Sequence, residues 1–187
     1  MSVYHAPLVG FKSRKAAQTS AFFAAQCSLE IDKLKLIKLI YLAERDFVFQ
    51  YGHPMLYDEF FSLQHGPICS STLTGINGEI DNEIWAQFIS IQGYKVKAIK
   101  NFTRDEYDEI SDAEFDLLKA TWDSFGWMNA SEIREYSHKN CPEYTEVSKG
   151  RIPISYRDLF KALGEENAEE LEHEISCYRK AASILRN

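Results

Sequence analysis

Between residues 33 and 51, apolar side chains fall at Leu34, Leu36, Ile37, Leu39, Ile40, Tyr41, Ala43, Phe47 and Val48. At 3.6 residues per turn they cover an arc wider than the stripe of a surface helix, so neighbours must pack on more than one side. Lys35, Lys38 and Arg45 share a narrow polar seam, which the pattern assigns to solvent. Asp32 stands where an N-cap accepts the first free amides, and Gly52 where a left-handed residue ends a helix. This helix is predicted at the centre of the fold.

Shorter patterns surround it. A helix is predicted over residues 14–27, with Ser13 as its N-cap and Ala17, Phe22 and Ala25 packing inward. Residues 56–64 read as extended or irregular and strongly aromatic. Pro67 suits the first turn of a short helix to about residue 76, because its missing N–H would be unpaired there anyway. Residues 88–100 alternate with period two on both sides of Gly93, the pattern of a small hairpin. Further helices are predicted over residues 112–125, 131–139, 155–163 and 166–185. The last carries Leu171, Ile175, Tyr178, Ala182 and Leu185 as one buried stripe. The predicted fold class is mainly α (α+β), a helical domain around a central hydrophobic helix with one small β-hairpin.

Composition adds a class and a compartment. The 187 residues are 45% hydrophobic and 26% charged, enough for a packed core in one domain. No run approaches the roughly 18 apolar residues of a membrane helix, and the start lacks a basic region followed by an apolar core. Four cysteines lie far apart, the pattern of reduced thiols, and the expected location is cytoplasmic. The net charge is −7, with acidic residues concentrated over 104–135 and 165–174 and bases over 12–45. Such a surface repels phosphate backbones and attracts basic partners.

Candidate chemistry is sparse. His65 with Cys69 and His138 with Cys141 have spacings from which a tetrahedral zinc site can be assembled, yet no Cys-x-x-Cys or His-Glu-x-x-His occurs. Cys69, read at a helix start, is a candidate thiol nucleophile with His65 as base, but no third group orients the pair. No glycine-rich phosphate loop is present. Lys12, Arg14, Lys15, Lys33, Lys35 and Lys38 form a basic cluster, and Lys95, Lys97 and Lys100 line the hairpin, although the overall pI is about 5.3. The aromatic run Tyr57, Phe60 and Phe61, next to His65-Gly66-Pro67, lies in a stretch read as loop. Clustered aromatics there either cap a core or make contact points for a partner.

The string Lys35-Leu36-Ile37-Lys38-Leu39-Ile40-Tyr41-Leu42-Ala43, then Tyr51-Gly52-His53-Pro54-Met55-Leu56, then His65-Gly66-Pro67-Ile68, resembles the start of the Panacea domain, the SocA-like antitoxin family of bacteria and phages. Ser111-Asp112-Ala113-Glu114, Phe125-Gly126 and Ser131 followed by Tyr136-Ser137-His138 resemble its later motifs. His65 stands where the family commonly has an aromatic before Gly-Pro, and Ser137 where it commonly has Thr. The best-matching part is residues 30–150 of a single domain spanning 1–187, with 151–187 as a C-terminal helical extension packed on it.

The resemblance implies a non-enzymatic antitoxin without cofactor or metal, binding a cognate protein toxin directly. A cellular protease is a further partner if it acts as an adaptor. Tyr57, Phe60, Phe61, His65, Tyr136 and His138 are the partner-binding candidates, and no catalytic residue is assigned. Two alternatives remain at this level. One is a nucleic-acid-binding regulator using the basic N-terminal helices, and the other is a zinc-dependent hydrolase.

Overall fold

The computed structural model describes residues 8–184, which form eight α-helices and six short strands. The central helix α2 (Lys33–Tyr51) starts and stops where its sequence signals. The Asp32 carboxylate accepts the amides of Leu34 (2.9 Å) and Lys35 (3.3 Å), and Gly52 ends it at φ +71°. Leu36, Leu39, Ile40, Tyr41 and Ala43 are sealed from solvent. They are covered by α1 (Ser13–Gln26), α5 (Asp112–Phe125), α6 (Ala130–Asn140), α7 (Tyr156–Ala162) and strands from both sheets. An arc this wide is what neighbours on every side require.

The seam expected to face solvent does not. Lys38 is completely buried, Arg45 is half-buried against Glu143, and Lys35 donates to the Gly126 carbonyl. A long amphipathic side chain can lay its stem along a core wherever its head finds an acceptor.

Two three-stranded antiparallel sheets replace the single expected hairpin. In one, β1 (Glu30–Asp32), β5 (Lys95–Ala98) and β4 (Ile89–Gln92) lie in the order β1-β5-β4, so the predicted hairpin forms but gains a third strand. In the other, β3 (Gly66–Cys69), β2 (Phe60–Leu63) and β6 (Ile152–Ile154) lie in the order β3-β2-β6. Pro67 therefore sits in an edge strand, where a missing N–H is tolerated, and the helix expected from it begins later, as α3 (Ser70–Ile76). Ser13 is the first residue of α1 rather than its cap, and its hydroxyl bonds Asp81. In the last helix, α8 (Ala168–Ile184), Ile175 is buried and Leu171 half-buried, whereas Tyr178 faces out and stacks on Tyr57. Leu185 lies outside the described residues.

Buried carboxylates tie the irregular segments down. Glu44 accepts the amides of Met55 and Leu56, holding the return chain beneath α2. Asp58 accepts the amides of Ser71 and Thr72 and the Thr72 hydroxyl, so it caps α3, whose own N-cap Cys69 provides no side-chain bond. Glu143 accepts Tyr41 Oη at 2.6 Å and Arg45 Nε at 2.7 Å. Tyr156 and Arg179 both donate to the Asp58 carbonyl, which joins α7 and α8 to the same point.

The turn from β2 to β3 is a tight junction. Gly66 has φ +93°, and a Cβ there would stand 2.9 Å from Ser137 Oγ, 3.0 Å from His138 Cδ2 and 3.0 Å from Lys38 Nζ. Only glycine combines that backbone angle with that approach. Gly66→Ala is expected to lose about 2–3 kcal/mol of stability, measured by urea unfolding. A loss below 0.5 kcal/mol, an ordinary surface value, would mean that the junction is loose.

Candidate functional site

At this junction α2, the β2–β3 turn and α6 meet around one amine. Lys38 Nζ donates to the Pro67 carbonyl at 2.7 Å, and the structure gives it no carboxylate partner among the described residues. Burial pushes its pKa down to about 7, and nearby Arg134 adds to the push, while the Cys141 and Cys69 thiols act the other way. Arg134 Nε and His138 Nε2 are buried without a hydrogen-bond partner. The pKa of His138 is lowered, first by burial and then by Arg134 and Lys38. Three basic groups thus lie near one another with few acceptors, so the local field favours a negative charge from outside.

Beside this group opens a cavity of about 420 Å³, within the roughly 300–1,000 Å³ range of ligand pockets. Leu34, Ile37, Leu63, Ile68 and Leu73 make its walls, and Lys38 contributes to one side. His65 and Lys149 stand at its exposed margin, and none of its lining residues is acidic.

The six candidate residues do not form one patch. His65 and His138 are brought together across Gly66, with the His138 ring 4.5 Å from that of Tyr144. Phe61 points outward from β2 beneath the Arg151 guanidinium, at 4.4 Å. Phe60, next to it on the opposite face, is a core side chain packed edge-on against Tyr41 and Tyr156. Tyr57 (φ +54°) stacks on Tyr178 at 3.9 Å, with the Lys12 ammonium over both rings. Tyr136 packs on Phe125 and lines a separate cavity. A strand alternates its faces, so Phe60 and Phe61 necessarily part company once β2 is recognised.

Most of the basic cluster is bonded within the chain, although Lys95 stays exposed. Lys15 makes a buried 2.6 Å pair with Glu114, and Arg14 binds Asp108 and Gln87. Lys33 bonds Asn77, Lys97 pairs with Glu30, and Lys100 pairs with Glu106. With Lys12 held by two tyrosines and Lys38 buried, no continuous stripe of free cations faces outward from these positions. The alternative enzyme chemistries also lack their geometry. Among the described residues no three His, Cys, Asp or Glu side chains gather as a metal-sized group. Cys69 ends β3 and is the N-cap of α3 rather than a residue of its first turn, and burial raises its thiol pKa well above the ordinary value. Burial likewise pushes Cys141 up to about 12.

Pattern reading missed Lys38, because a lysine flanked by apolar residues looks the same whether its head escapes or finds a carbonyl. It also missed Glu44, Asp58 and Glu143, whose amide and phenol partners come from distant segments.

These pKa shifts fix a pH signature. Folded Lys38 binds protons less readily than its unfolded form, so its cost is full below pH 7. That cost shrinks as pH rises from about 7 to the ordinary 10.5 and is gone above it. Glu44, pushed up to about 8 mainly by burial, acts with the opposite sign: its stabilising protonation is complete below pH 4.5 and lost as pH rises through about 8. Lys38→Met leaves the Pro67 carbonyl without its donor and is expected to lose about 1–3 kcal/mol of stability near pH 10.5, with a smaller loss at pH 6, where removing the desolvated amine offsets it. Denaturant titrations at the two pH values measure it, and a loss larger at pH 6 than at pH 10.5 would refute the assignment.

No helix among the described residues is long and apolar enough to cross a membrane. No curated protein and no solved structure matches the chain. The sequence profile of the family described as antitoxin SocA-like, Panacea domain, matches residues 36–143, which run from within α2, through the β2–β3 turn, to Glu143 below α6. With more than half its length matched, the chain belongs to the SocA-like antitoxin family with a Panacea domain.

Proposed function

We propose that this chain is a non-enzymatic antitoxin of a bacterial or phage toxin–antitoxin pair, neutralising its cognate toxin in the cytoplasm by direct protein contact. Family membership over residues 36–143 is the observation that carries the reading. The chain works as one unit over residues 1–187, and the described residues 151–184 of its C-terminal extension pack on the family-matched part. The contact face proposed is the one formed by the β2–β3 turn and the outward side of β2, where Phe61 and His65 are accessible and His138 supports the turn from behind. Tyr57 and Tyr136 lie on other sides and contribute only if the toxin wraps the molecule. Phe60 serves the core. Clustered apolar and aromatic anchors at the centre of an interface carry most of its energy.

The experiment is co-purification with the toxin encoded beside it. A stoichiometric complex on size exclusion, with toxin activity lost, is the expected result. Phe61→Ala and His65→Ala together are expected to weaken the complex at least about tenfold, with an unchanged thermal midpoint. Neutralisation without a complex would refute the reading. Toxin that disappears only in cells with an intact protease would identify an adaptor rather than a blocker.

A further inference from the structure

Helix α8 turns Ala168 and Ile175 into the fold and leaves a stripe outside. Glu170, His173, Cys177, Lys180 and Ile184 recur at spacings of three and four, and all five are exposed. Residues so spaced share one face of a helix. Cys177 differs from the other thiols, for Cys69 and Cys141 are buried and Cys27 is half-buried.

Two members of the stripe already meet. Cys177 Sγ lies 3.4 Å from His173 Nε2 across one turn. A tetrahedral zinc ion bound at about 2.3 Å from sulfur and about 2.0 Å from nitrogen holds those two donors about 3.5 Å apart. The pair is therefore spaced as a chelate before any ion arrives. Sulfur and imidazole donors suit zinc rather than calcium or magnesium, which take oxygen. The exposed Glu169, Glu170 and Glu174 beside the pair make the local potential attractive to a cation. On coordination the thiol proton passes to solvent, and the ligand is the thiolate.

One chain supplies only half of the tetrahedron. Among the described residues no third His, Cys, Asp or Glu gathers with the pair, so the other two ligands come from outside. The stripe identifies their source. When two α8 helices pack antiparallel about a two-fold axis at the level of Ile175, residues equally far on either side of that level face one another. His173 of one copy then lies opposite Cys177 of the other, and both pairs converge on the axis. Glu170, five positions before Ile175, lies opposite Lys180, five positions after it. A parallel pair would instead set Glu170 against Glu170 and Lys180 against Lys180.

We infer that α8 carries half of a zinc site, and that two copies of this chain join through their α8 helices around one zinc ion held by both His173 and both Cys177 side chains. Glu170 of each copy pairs with Lys180 of the other at either end of the contact. The inference stands apart from the antitoxin reading and needs no toxin for its test.

Sedimentation of the full chain in a thiol-free reductant, with and without half an equivalent of zinc, provides that test. The mass is expected to double, with one zinc per two chains, and to return on adding EDTA. Cobalt in place of zinc is expected to give the visible bands of a tetrahedral ion together with a thiolate charge-transfer band. Cys177→Ser and His173→Ala are each expected to abolish the change of mass while leaving the thermal midpoint unchanged, since both side chains are exposed. Lys180→Glu is expected to weaken the zinc-bound dimer about tenfold, and Glu170→Lys added to it is expected to restore the dimer. No change of mass with zinc at about 100 μM chain, a zinc-dependent dimer that survives Cys177→Ser, or one zinc per chain at unchanged mass would each overturn the inference. A dimer that forms only without reductant and ignores EDTA would overturn it in favour of a disulfide. A double variant no better than Lys180→Glu alone would overturn the antiparallel pairing.

Discussion

Everything around the β2–β3 turn depends on one donor and one missing side chain. The Lys38 ammonium reaches the Pro67 carbonyl from within α2, and Gly66 lets the strand pass close enough for it to do so. The same passage sets α6 against the turn through Ser137 and His138. Three elements far apart in sequence are thus fixed by a contact that neither a larger residue at 66 nor a shorter one at 38 would reproduce. The cost is a desolvated amine with no counter-ion, tolerated because it is bonded to the main chain and surrounded by tight packing.

A second theme is that loops here are held by acids pointing inward. Glu44, Asp58 and Glu143 satisfy amides, hydroxyls and a guanidinium belonging to segments with few regular ladders of their own. Buried main-chain donors need partners, and in a mainly helical molecule with strands of three or four residues side chains must supply many of them. The chain's acidic residues are therefore not all at the surface. Some of them are internal scaffolding.

The longer helices were legible in the sequence because each extends over enough turns to repeat its pattern, whereas the single turn α4 (Asn82–Trp85) was not. Asp32 caps its helix as its position suggested, and Ser111, Asn129 and Ser155 cap theirs. The hairpin around Gly93 was legible for the same reason. Strands β1, β2, β3 and β6 were not, since three or four residues show no alternation and their partners lie up to about ninety positions away. Pro67 misled because a proline suits an edge strand as well as a first helical turn. At the site, His65 and His138 both border Gly66. Phe60 and Phe61 were grouped because adjacency in sequence hides their opposite faces, and Lys38 escaped notice because burial of a charged head depends on a carbonyl that only the folded chain supplies.

The outer strand β6 pairs with β2 from beyond the stretch that the family profile covers, and Tyr156 and Arg179 fasten the Asp58 carbonyl from the same side. At the other end, α1 contributes Lys15 to a buried pair with Glu114. A fragment cut to the profile's limits would leave β2 with a naked edge and Glu114 with a stranded charge, inviting sticky self-association. The span by which kinship is recognised is thus narrower than the span that can close its own core, and excising it by homology would yield a different material from the parent.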